Sequence, residues 1–272
     1  MYRILILIAI ILSASFSPPS NIQWTELERG LNYASVLSPV KSSIADSKID
    51  ILKIDPAYFK FDLVCAGQKK SANKTAKQWA DENKLIACIN SSMFKTEGDY
   101  NISMGYMKNG TYVNNPNPNP SYKNIFAFNS SDTSLPQAHI IDLSCEDWPV
   151  KKKQYNSFSQ SIRMMDCTGK NIWQLQEKKW SMVLLGEDKE GNILFIFVRS
   201  PYRVHDFIDI LHQLPLSLVR LMYLEGGPES SLYVNHSKLK LEKFGSYETN
   251  FTENDNNDRF WEIPNVIGIR RR

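Results

Sequence analysis

The sequence predicts an α/β fold of the mixed α+β kind: a single domain with a mixed β-sheet core, flanking helices and long polar loops. Three observations predict it. Short apolar runs typical of buried strands recur along the chain, and two helical segments each lie between such runs. Stretches rich in Asn, Pro and Gly separate these elements. The 272 residues, 42% hydrophobic and 22% charged, have a globular composition and suffice for one large core.

The N-terminus has the pattern of a secretory signal peptide. Arg3 precedes an unbroken apolar run over residues 4–12, and small residues suited to cleavage follow it. The run is too short to span a bilayer, which needs about 20 apolar residues. An uncleaved anchor is the alternative. We therefore expect a signal peptide over 1–17, an N-terminal segment over 18–48, a main domain over 49–272, and a secreted or periplasmic location.

In the first half of the chain, apolar runs predict strands and one segment predicts a helix. The helix, 75–83, has Ala76, Trp79 and Ala80 at i, i+3 and i+4 spacing. Segment 95–123 is rich in Asn and Pro, and Pro disfavours helix and central strand, so a long loop is expected there. Segment 22–37 is expected to be an entering strand with loops. Further strands are expected at 49–54, 59–65, 85–89, 126–128, 138–143 and 161–165.

The second half is more regular. Strands are expected at 180–185 and 193–198, with a hairpin-type turn between them. Ser200 and Pro201 have the pattern of a helix start, with Ser as N-cap and Pro in the first position, and the helix should end before Pro215. Strands at 221–224 and 265–269 complete the prediction.

Two β–α–β units follow from this order, one around helix 75–83 and one around the helix that follows Ser200. If the strands of each unit run parallel in one sheet, they end at the same edge, where open α/β sheets bind ligands. Arg199 and Glu225 would lie at that edge in the second unit, and Asn90 would end a strand in the matching place of the first.

Charge and motifs exclude several classes of function. A net charge of +3 is too small to indicate a nucleic-acid partner, and the short basic clusters at 151–153 and 270–272 are expected to be solvated. Walker, GxGxxG, HExxH and EF-hand patterns do not occur, so no cofactor and no metal are expected. No stable membrane insertion is expected after signal cleavage, and the oligomeric state is left open.

Four cysteines are compatible with two disulfides in an oxidising compartment, with three connectivities. Cys145 and Cys167 flank a polar segment, and closing that loop would stabilise the fold by constraining the unfolded chain. A Cys145–Cys167 bridge is therefore favoured. Cys65 and Cys88 lie in apolar, strand-like contexts and are either bridged or buried thiols.

The segment 221–234 carries the strongest candidate for a site. An apolar run stops at Glu225, turns through Gly226, Gly227 and a proline, presents Ser230 and Ser231, and returns to apolar alternation. Glycines let a ligand approach the backbone, and the serines offer hydrogen bonds to ligand oxygens. A carboxylate at a buried strand end, its pKa raised by burial, suits a general acid or base. The alternative is a Glu that accepts backbone hydrogen bonds from its own turn.

Charged residues elsewhere have competing interpretations. Arg163 and Arg199 have the planar donor fork that suits a phosphate or carboxylate ligand, and the alternative is a salt bridge, for Arg163 to Asp166. His205 and Asp206 lie near a predicted helix start. At that position Asp206 would interact favourably with the helix dipole, a purely structural role, whereas His205 could carry a proton near neutral pH.

Four segments in order, 87–94, 104–110, 161–163 and 223–232, resemble the phosphodiester glycosidase family, and the resemblance spans roughly residues 50–270. The family includes enzymes that remove a sugar from a phosphodiester and many bacterial envelope proteins. The resemblance implies an α/β domain that hydrolyses a glycosyl–phosphodiester bond. It places Asn90, Gly105, Arg163 and Glu225 on the family's motif positions. The chain departs from the family pattern in having Glu for Asp at 225 and Pro228-Glu229 within the glycine run.

The mechanism implied is hydrolysis at the anomeric carbon, with Arg163 and Arg199 holding the phosphodiester and Glu225 activating water or acting as nucleophile. Asp206 is the candidate second carboxylate. Asn90, Gly105, His205 and the 226–231 corner are the candidate substrate-binding residues. The alternatives are a non-catalytic envelope protein that binds a phosphoglycan or peptidoglycan fragment, and a metal-dependent phosphodiesterase.

Overall fold

Two β-sheets form the core of the protein, whose computed structural model describes residues 21–95 and 98–272. The predicted signal peptide, 1–17, lies outside the described residues. In chain order the strands are β1 (Thr25–Glu28), β2 (Leu31–Leu37), β3 (Lys48–Ile54), β4 (Phe59–Cys65), β5 (Ala87–Asn90), β6 (Met107–Asn109), β7 (Tyr112–Asn115), β8 (Asn124–Ser130), β9 (Ala138–Asp142), β10 (Tyr155–Arg163), β11 (Trp180–Asp188), β12 (Ile193–Tyr202), β13 (Leu218–Gly226), β14 (Ser231–His236), β15 (Leu239–Phe244) and β16 (Asn265–Arg271).

The helices are few and short: α1 (Ala66–Lys69), α2 (Ala76–Asn83), α3 (Trp148–Lys151) and α4 (Val204–His212), with a 3-10 turn at Gly227–Glu229. The predicted helix 75–83 is confirmed. Thr75 caps α2, because its side chain accepts from the Gln78 amide while the Gln78 side chain accepts from the Thr75 amide. None of the helices in the described ranges has the length and apolar composition needed to cross a membrane.

The large sheet has eleven strands in the order β1-β2-β3-β12-β11-β13-β10-β6-β7, with β8 pairing β10 and β9 pairing β8. The small sheet has five, in the order β15-β14-β5-β16-β4. Each strand pair within the described residues is antiparallel. The predicted mixed sheet is therefore wrong in this respect, and the protein is richer in β-structure than a balanced α/β fold.

The two β–α–β units are present in a split form. β4, α2 and β5 follow one another along the chain, but β16 lies between β4 and β5 in the sheet. In the same way, β11 separates β12 from β13. Because both strands of each unit are antiparallel to the same intervening strand, they point in one direction and end at the same edge. The expectation of a shared edge holds without direct parallel pairing.

The hydrophobic core has three main parts, set by the period-two alternation of the strands. Phe195 and Phe197 of β12 face Phe61 of β4 and Ile89 of β5, so one cluster fills the space between the two sheets. The opposite face of the large sheet packs on α4. The outer face of the small sheet packs on α2, where Trp79 is buried. The result is four layers: α2, small sheet, large sheet and α4.

Several boundaries differ from the prediction. Segment 95–123 contains a short hairpin, β6–β7, within the expected loop. Ser200 and Pro201 remain in β12 and α4 begins only at Val204, because Trp180 of β11 still pairs with Tyr202. The buried Ser200 hydroxyl accepts from the Ser47 amide at 2.7 Å, which gives it a partner outside the helix. The 18–48 segment supplies β1 and β2, which extend the large sheet from β3.

The predicted disulfide between Cys145 and Cys167 is confirmed. It joins the segment after β9 to the segment after β10 across 22 positions of the sequence. Cys65 and Cys88 are buried free thiols, and burial raises the pKa of the Cys65 thiol to about 12. Unreactive thiols of this kind act as small apolar side chains.

Replacing Cys145 and Cys167 together by Ser should lower the free energy of unfolding by about 3 kcal/mol, because the unfolded chain loses a constraint on a loop of this length. Urea unfolding of the variant against the oxidised protein measures the difference. Thiol titration of the denatured wild-type protein should find the two thiols of Cys65 and Cys88. Four titratable thiols, or an unchanged free energy of unfolding, would contradict the assignment.

Candidate active site

A cavity of about 460 Å³ opens beside the end of β13. Its walls combine aromatic rings with carboxylates. The lining residues are Met93, Phe94, Met104, Tyr122, Ile162, Trp173, Gln176, Trp180, Tyr223, Glu225, Gly226, Glu229 and Glu248.

The floor of the cavity is the corner at which the chain leaves the large sheet for the small one. β13 ends at Gly226 and β14 begins at Ser231, so the two strands are not a hairpin. Gly227 has φ of +67°, a conformation that favours glycine, and starts the 3-10 turn that carries Pro228. The corner is thus a sheet-to-sheet crossing with a fixed shape.

Asn90, at the end of β5, clamps this corner. Its side-chain amide donates to the Glu229 carbonyl at 3.0 Å, and its side-chain oxygen accepts from the Ser231 amide at 2.8 Å. The Ser231 hydroxyl donates to the Glu229 carbonyl, and Ser230 donates to the Glu225 carbonyl at 3.3 Å. Asn90, Ser230 and Ser231 are therefore next to the cavity, but their polar groups hold the backbone of the corner.

Three carboxyl groups face the cavity, and each has a raised pKa. Removal from water raises the pKa of Glu225 well above its usual range, and the charges of Glu229 and Glu248 add to this. Burial, with the Glu248 charge, raises the pKa of Glu229 to about 7. Burial raises the pKa of Glu248 as well. A carboxyl whose pKa lies near neutrality, as that of Glu229 does, can exchange a proton with a reacting group, which general acid and base catalysis requires.

The aromatic side chains form the other walls. Tyr223 comes from β13, two residues before Glu225, and lines the same cavity. Trp173 lies against it, with ring centroids 5.6 Å apart. Tyr122 and Trp180 also line the cavity. Flat apolar faces beside hydrogen-bonding groups are suited to a sugar ring, which has apolar C–H faces and polar edges.

The structure does not bring Arg163 into the cavity, although the sequence places it in the same pocket as Glu225. Arg163 Nη1 contacts both carboxylate oxygens of Asp142 at 3.1 Å, and Asp142 is fully buried. Its neighbour Ile162 lines the cavity instead. Arg163 therefore forms a salt bridge, which was the alternative interpretation of this residue, but its partner is Asp142 rather than Asp166.

Arg199 is also engaged elsewhere, with the 244–257 segment, and it lies within β12, three residues before that strand ends at Tyr202. Asp206 pairs with Arg203 at 2.6 Å on the start of α4, and it lines a different surface cavity with Lys41 and Glu177. His205 lies 3.6 Å from that same Asp206. The expectation that these side chains join Glu225 in one pocket is not met.

Gly105 packs against β10. A Cβ there would lie 2.7 Å from the Gln160 carbonyl oxygen, so the glycine permits a close approach of two backbones. It does not line the cavity, although its neighbour Met104 does. Of the sequence-predicted site residues, Glu225 and Gly226 line the cavity directly, and Asn90, Gly227, Ser230 and Ser231 shape its floor.

Most of the residues that line the cavity were not predicted from the sequence. Glu229 follows a Gly-Gly-Pro turn, a position typical of a solvated side chain, but the 3-10 turn places it in the cavity wall with Glu225. Glu248 and Trp173 come from polar segments with no periodic pattern, whereas Trp180 begins the predicted strand 180–185. A tryptophan in a polar segment, such as Trp173, is a signal that could have been used, because exposed aromatic residues often mark binding surfaces.

The part of the chain that the structure describes offers a metal ion few ligands. Among residues 21–95 and 98–272, one group of three metal-type ligands is drawn together: Asp142, Cys145 and Cys167. Both sulfurs are joined in the disulfide, which leaves a single carboxylate.

The fold and this cavity define a β-rich protein with an acidic, aromatic-walled site at a sheet-to-sheet crossing. The chain belongs to the phosphodiester glycosidase family, whose sequence profile matches residues 83–270. This confirms the resemblance carried by the motifs. None of the curated proteins compared with the chain matches it.

Two solved structures share the fold. A hypothetical protein from Synechocystis has a TM-score of 0.62 and 11% identity, over 93% of this chain and 64% of that protein. The catalytic domain of zebrafish N-acetylglucosamine-1-phosphodiester alpha-N-acetylglucosaminidase, auto-inhibited by its pro-peptide, has a TM-score of 0.59 and 13% identity, over 95% of this chain and 87% of that one. At these identities the likeness shows the fold alone.

Gly227→Ala should destabilise the protein by roughly 1–3 kcal/mol, because alanine is strained at this φ and its Cβ would lie 2.5 Å from Glu248 Oε2. Gly191→Ala is the matched control, since Gly191 has φ of +82° and nothing within 4 Å of an added Cβ. Urea unfolding of both variants separates backbone strain from the contact with Glu248. Equal losses in the two variants would contradict the position of Glu248 over the corner.

Proposed function

We propose that the protein is an exported hydrolase that cleaves a glycosyl-phosphodiester bond, that of a sugar-1-phosphate diester, in an envelope or extracellular glycan. The observation that carries the proposal is that Glu225 and Glu229 line one aromatic-walled cavity, with both pKa values raised. Family membership supports a glycosidase acting on phosphodiester-linked sugars. Glycosidases use two carboxyl groups with different protonation states, and this corner supplies two in different environments.

The two carboxyls have separate roles in the proposal. Glu225 has a pKa held well above its usual range, chiefly by burial, so it stays protonated and donates a hydrogen bond to a phosphodiester oxygen. Glu229, with a pKa of about 7, is partly ionised at neutral pH and accepts a proton from water. That water attacks the anomeric carbon, the bond from this carbon to the phosphate oxygen breaks, and Glu225 gives its proton to the departing phosphate.

This assignment replaces Asp206 by Glu229 as the second carboxylate. Asp206 is held by Arg203 outside the cavity, whereas Glu229 lies in its wall. A neutral Glu225 also removes the repulsion that an anionic phosphodiester would meet, and this need is greater because Arg163 is held by Asp142.

Export is part of the proposal and has two supports. The N-terminal pattern is that of a signal peptide, and the Cys145–Cys167 disulfide is of the kind that persists in oxidising compartments.

Glu225→Gln should lower kcat for sugar release from glycosyl phosphodiesters by about 100-fold or more, because the amide cannot donate an acidic proton. Glu253→Gln is the control, since Glu253 is exposed on the segment that also carries Glu248. Released sugar from a panel of methyl phosphodiester glycosides, quantified by mass spectrometry, measures the effect.

If no member of the panel is turned over, the proposal of a hydrolase is refuted. Binding without turnover, unchanged in Glu225→Gln, would instead establish the alternative, a non-catalytic phosphoglycan-binding protein of the envelope.

A further inference from the structure

Glu248 reaches the cavity on a segment that is firmly tied down. This anchored segment, residues 244–258, follows β15 and lies over the end of the large sheet. The Arg199 guanidinium donates to it four times: to the Phe244 carbonyl at 2.8 Å, to the Asp255 side chain at 2.7 Å, and to the Asp255 and Asn257 carbonyls at 3.1 and 2.7 Å. Arg199 also lies over the Phe244 ring, 5.2 Å from its centroid.

Ser181 of β11 provides a second anchor. Its hydroxyl oxygen accepts from the amides of Ser246 and Tyr247 at 3.0 and 3.1 Å, and its own amide donates to the Tyr247 carbonyl at 2.9 Å. Glu248 then forms a β-bridge with Trp180. The carboxylate is therefore held beside Trp180 and over Gly227 by backbone on both sides.

The ionisable side chains that line the cavity are all acidic. Glu225, Glu229 and Glu248 line it, and the lining residues that the structure describes include no Lys, Arg or His. Lys178 is near enough to Glu248 to lower its pKa but does not line the cavity. A phosphodiester ligand brings a further negative charge. Glu225 and Glu229 are needed for the reaction, whereas Glu248 adds a negative charge that the reaction does not require.

We propose that the substrate of this cavity carries an ammonium group, on the sugar or on the alcohol esterified to the phosphate, and that Glu248 with the Trp180 and Tyr223 rings recognises it. The inference rests on the proposed function and names its substrate class. An ammonium group is attracted both to a carboxylate and to the face of an aromatic ring, and the attraction grows when water is excluded. The positive charge of the ammonium group also offsets the negative charge of the phosphodiester.

The structure gives the ammonium group a defined recognition site because its elements come from rigid parts of the fold. Tyr223 is in β13, Trp180 begins β11, and Glu248 is fixed by the anchors at Arg199 and Ser181. Trp173 packs on Tyr223 and limits its motion. A carboxylate held in the same cavity as aromatic rings selects for charge, and a neutral N-acyl group gains much less from it.

The test compares paired ligands that differ in one charge. The methyl phosphodiester of a 2-amino-2-deoxyhexose and its N-acetylated counterpart form the first pair. The 2-aminoethyl and ethyl phosphodiesters of a neutral hexose form the second, so the two pairs distinguish an ammonium on the sugar from one on the alcohol. Isothermal titration calorimetry at pH 7 with the full protein should show roughly tenfold tighter binding of the ammonium ligand in at least one pair.

Glu248→Gln should reduce that preference to less than about threefold, and Glu253→Gln on the same segment should retain it. Binding of the ammonium ligand should also release protons from the cavity carboxyls, so the measured heat should vary with the ionisation enthalpy of the buffer. Circular dichroism of each variant establishes that the segment and the fold are unchanged.

Equal or weaker binding of the ammonium ligand in both pairs overturns the proposal, as does a preference that survives in Glu248→Gln. Failure of the hydrolase is a separate result, because the binding comparison needs no turnover. A charge preference without sugar release would reject the proposed reaction and retain the recognition of an ammonium group.

Discussion

The candidate site depends on one clamp, the pair of hydrogen bonds between the Asn90 side chain and the backbone of Glu229 and Ser231. Asn90 ends a strand of the small sheet, and Glu225 precedes the last residue of a strand of the large sheet. The clamp therefore fixes the two sheets relative to one another at the point where the chain crosses between them. Because the crossing turns through Gly227, it presents two carboxyls, four residues apart, to the same cavity.

Placing three carboxyls around an apolar cavity opposes stability, since each loses hydration and each repels the others when ionised. The rest of the structure offsets this cost. The core between the sheets is made of large apolar side chains such as Phe61, Phe126 and Phe195, and the disulfide constrains the segment after β9. A site that is costly to hold and is nevertheless built from rigid strands is better explained by function than by folding.

Sequence alone was sufficient for much of the fold, because the strand and helix patterns depend on local periodicity. It also identified Glu225, whose position after an apolar run is a local signal. The antiparallel insertion of β11 and β16 into the two β–α–β units was not predictable, since strand order depends on pairing between distant segments. For the same reason, the salt-bridge partners of the two arginines could not be predicted. Arg163 pairs with Asp142 and Arg199 with Asp255, and neither pairing follows from spacing along the sequence. Glu248 was missed because its segment has no period and gains its position only from Ser181 and Arg199.

The central claim is that Glu225 and Glu229 line one cavity in which burial raises the pKa of each carboxyl. Carbon-13 NMR titration of the Glu side-chain carboxyls, assigned with Glu225→Gln and Glu229→Gln, tests it most directly. The account predicts a pKa of about 7 for Glu229 and a pKa well above the usual Glu range for Glu225. Because the folded protein then binds more protons than the unfolded chain between the usual Glu pKa and these values, stability should also fall as pH rises through this range. Titration of both carboxyls near their usual pKa of about 4.3 would contradict the account.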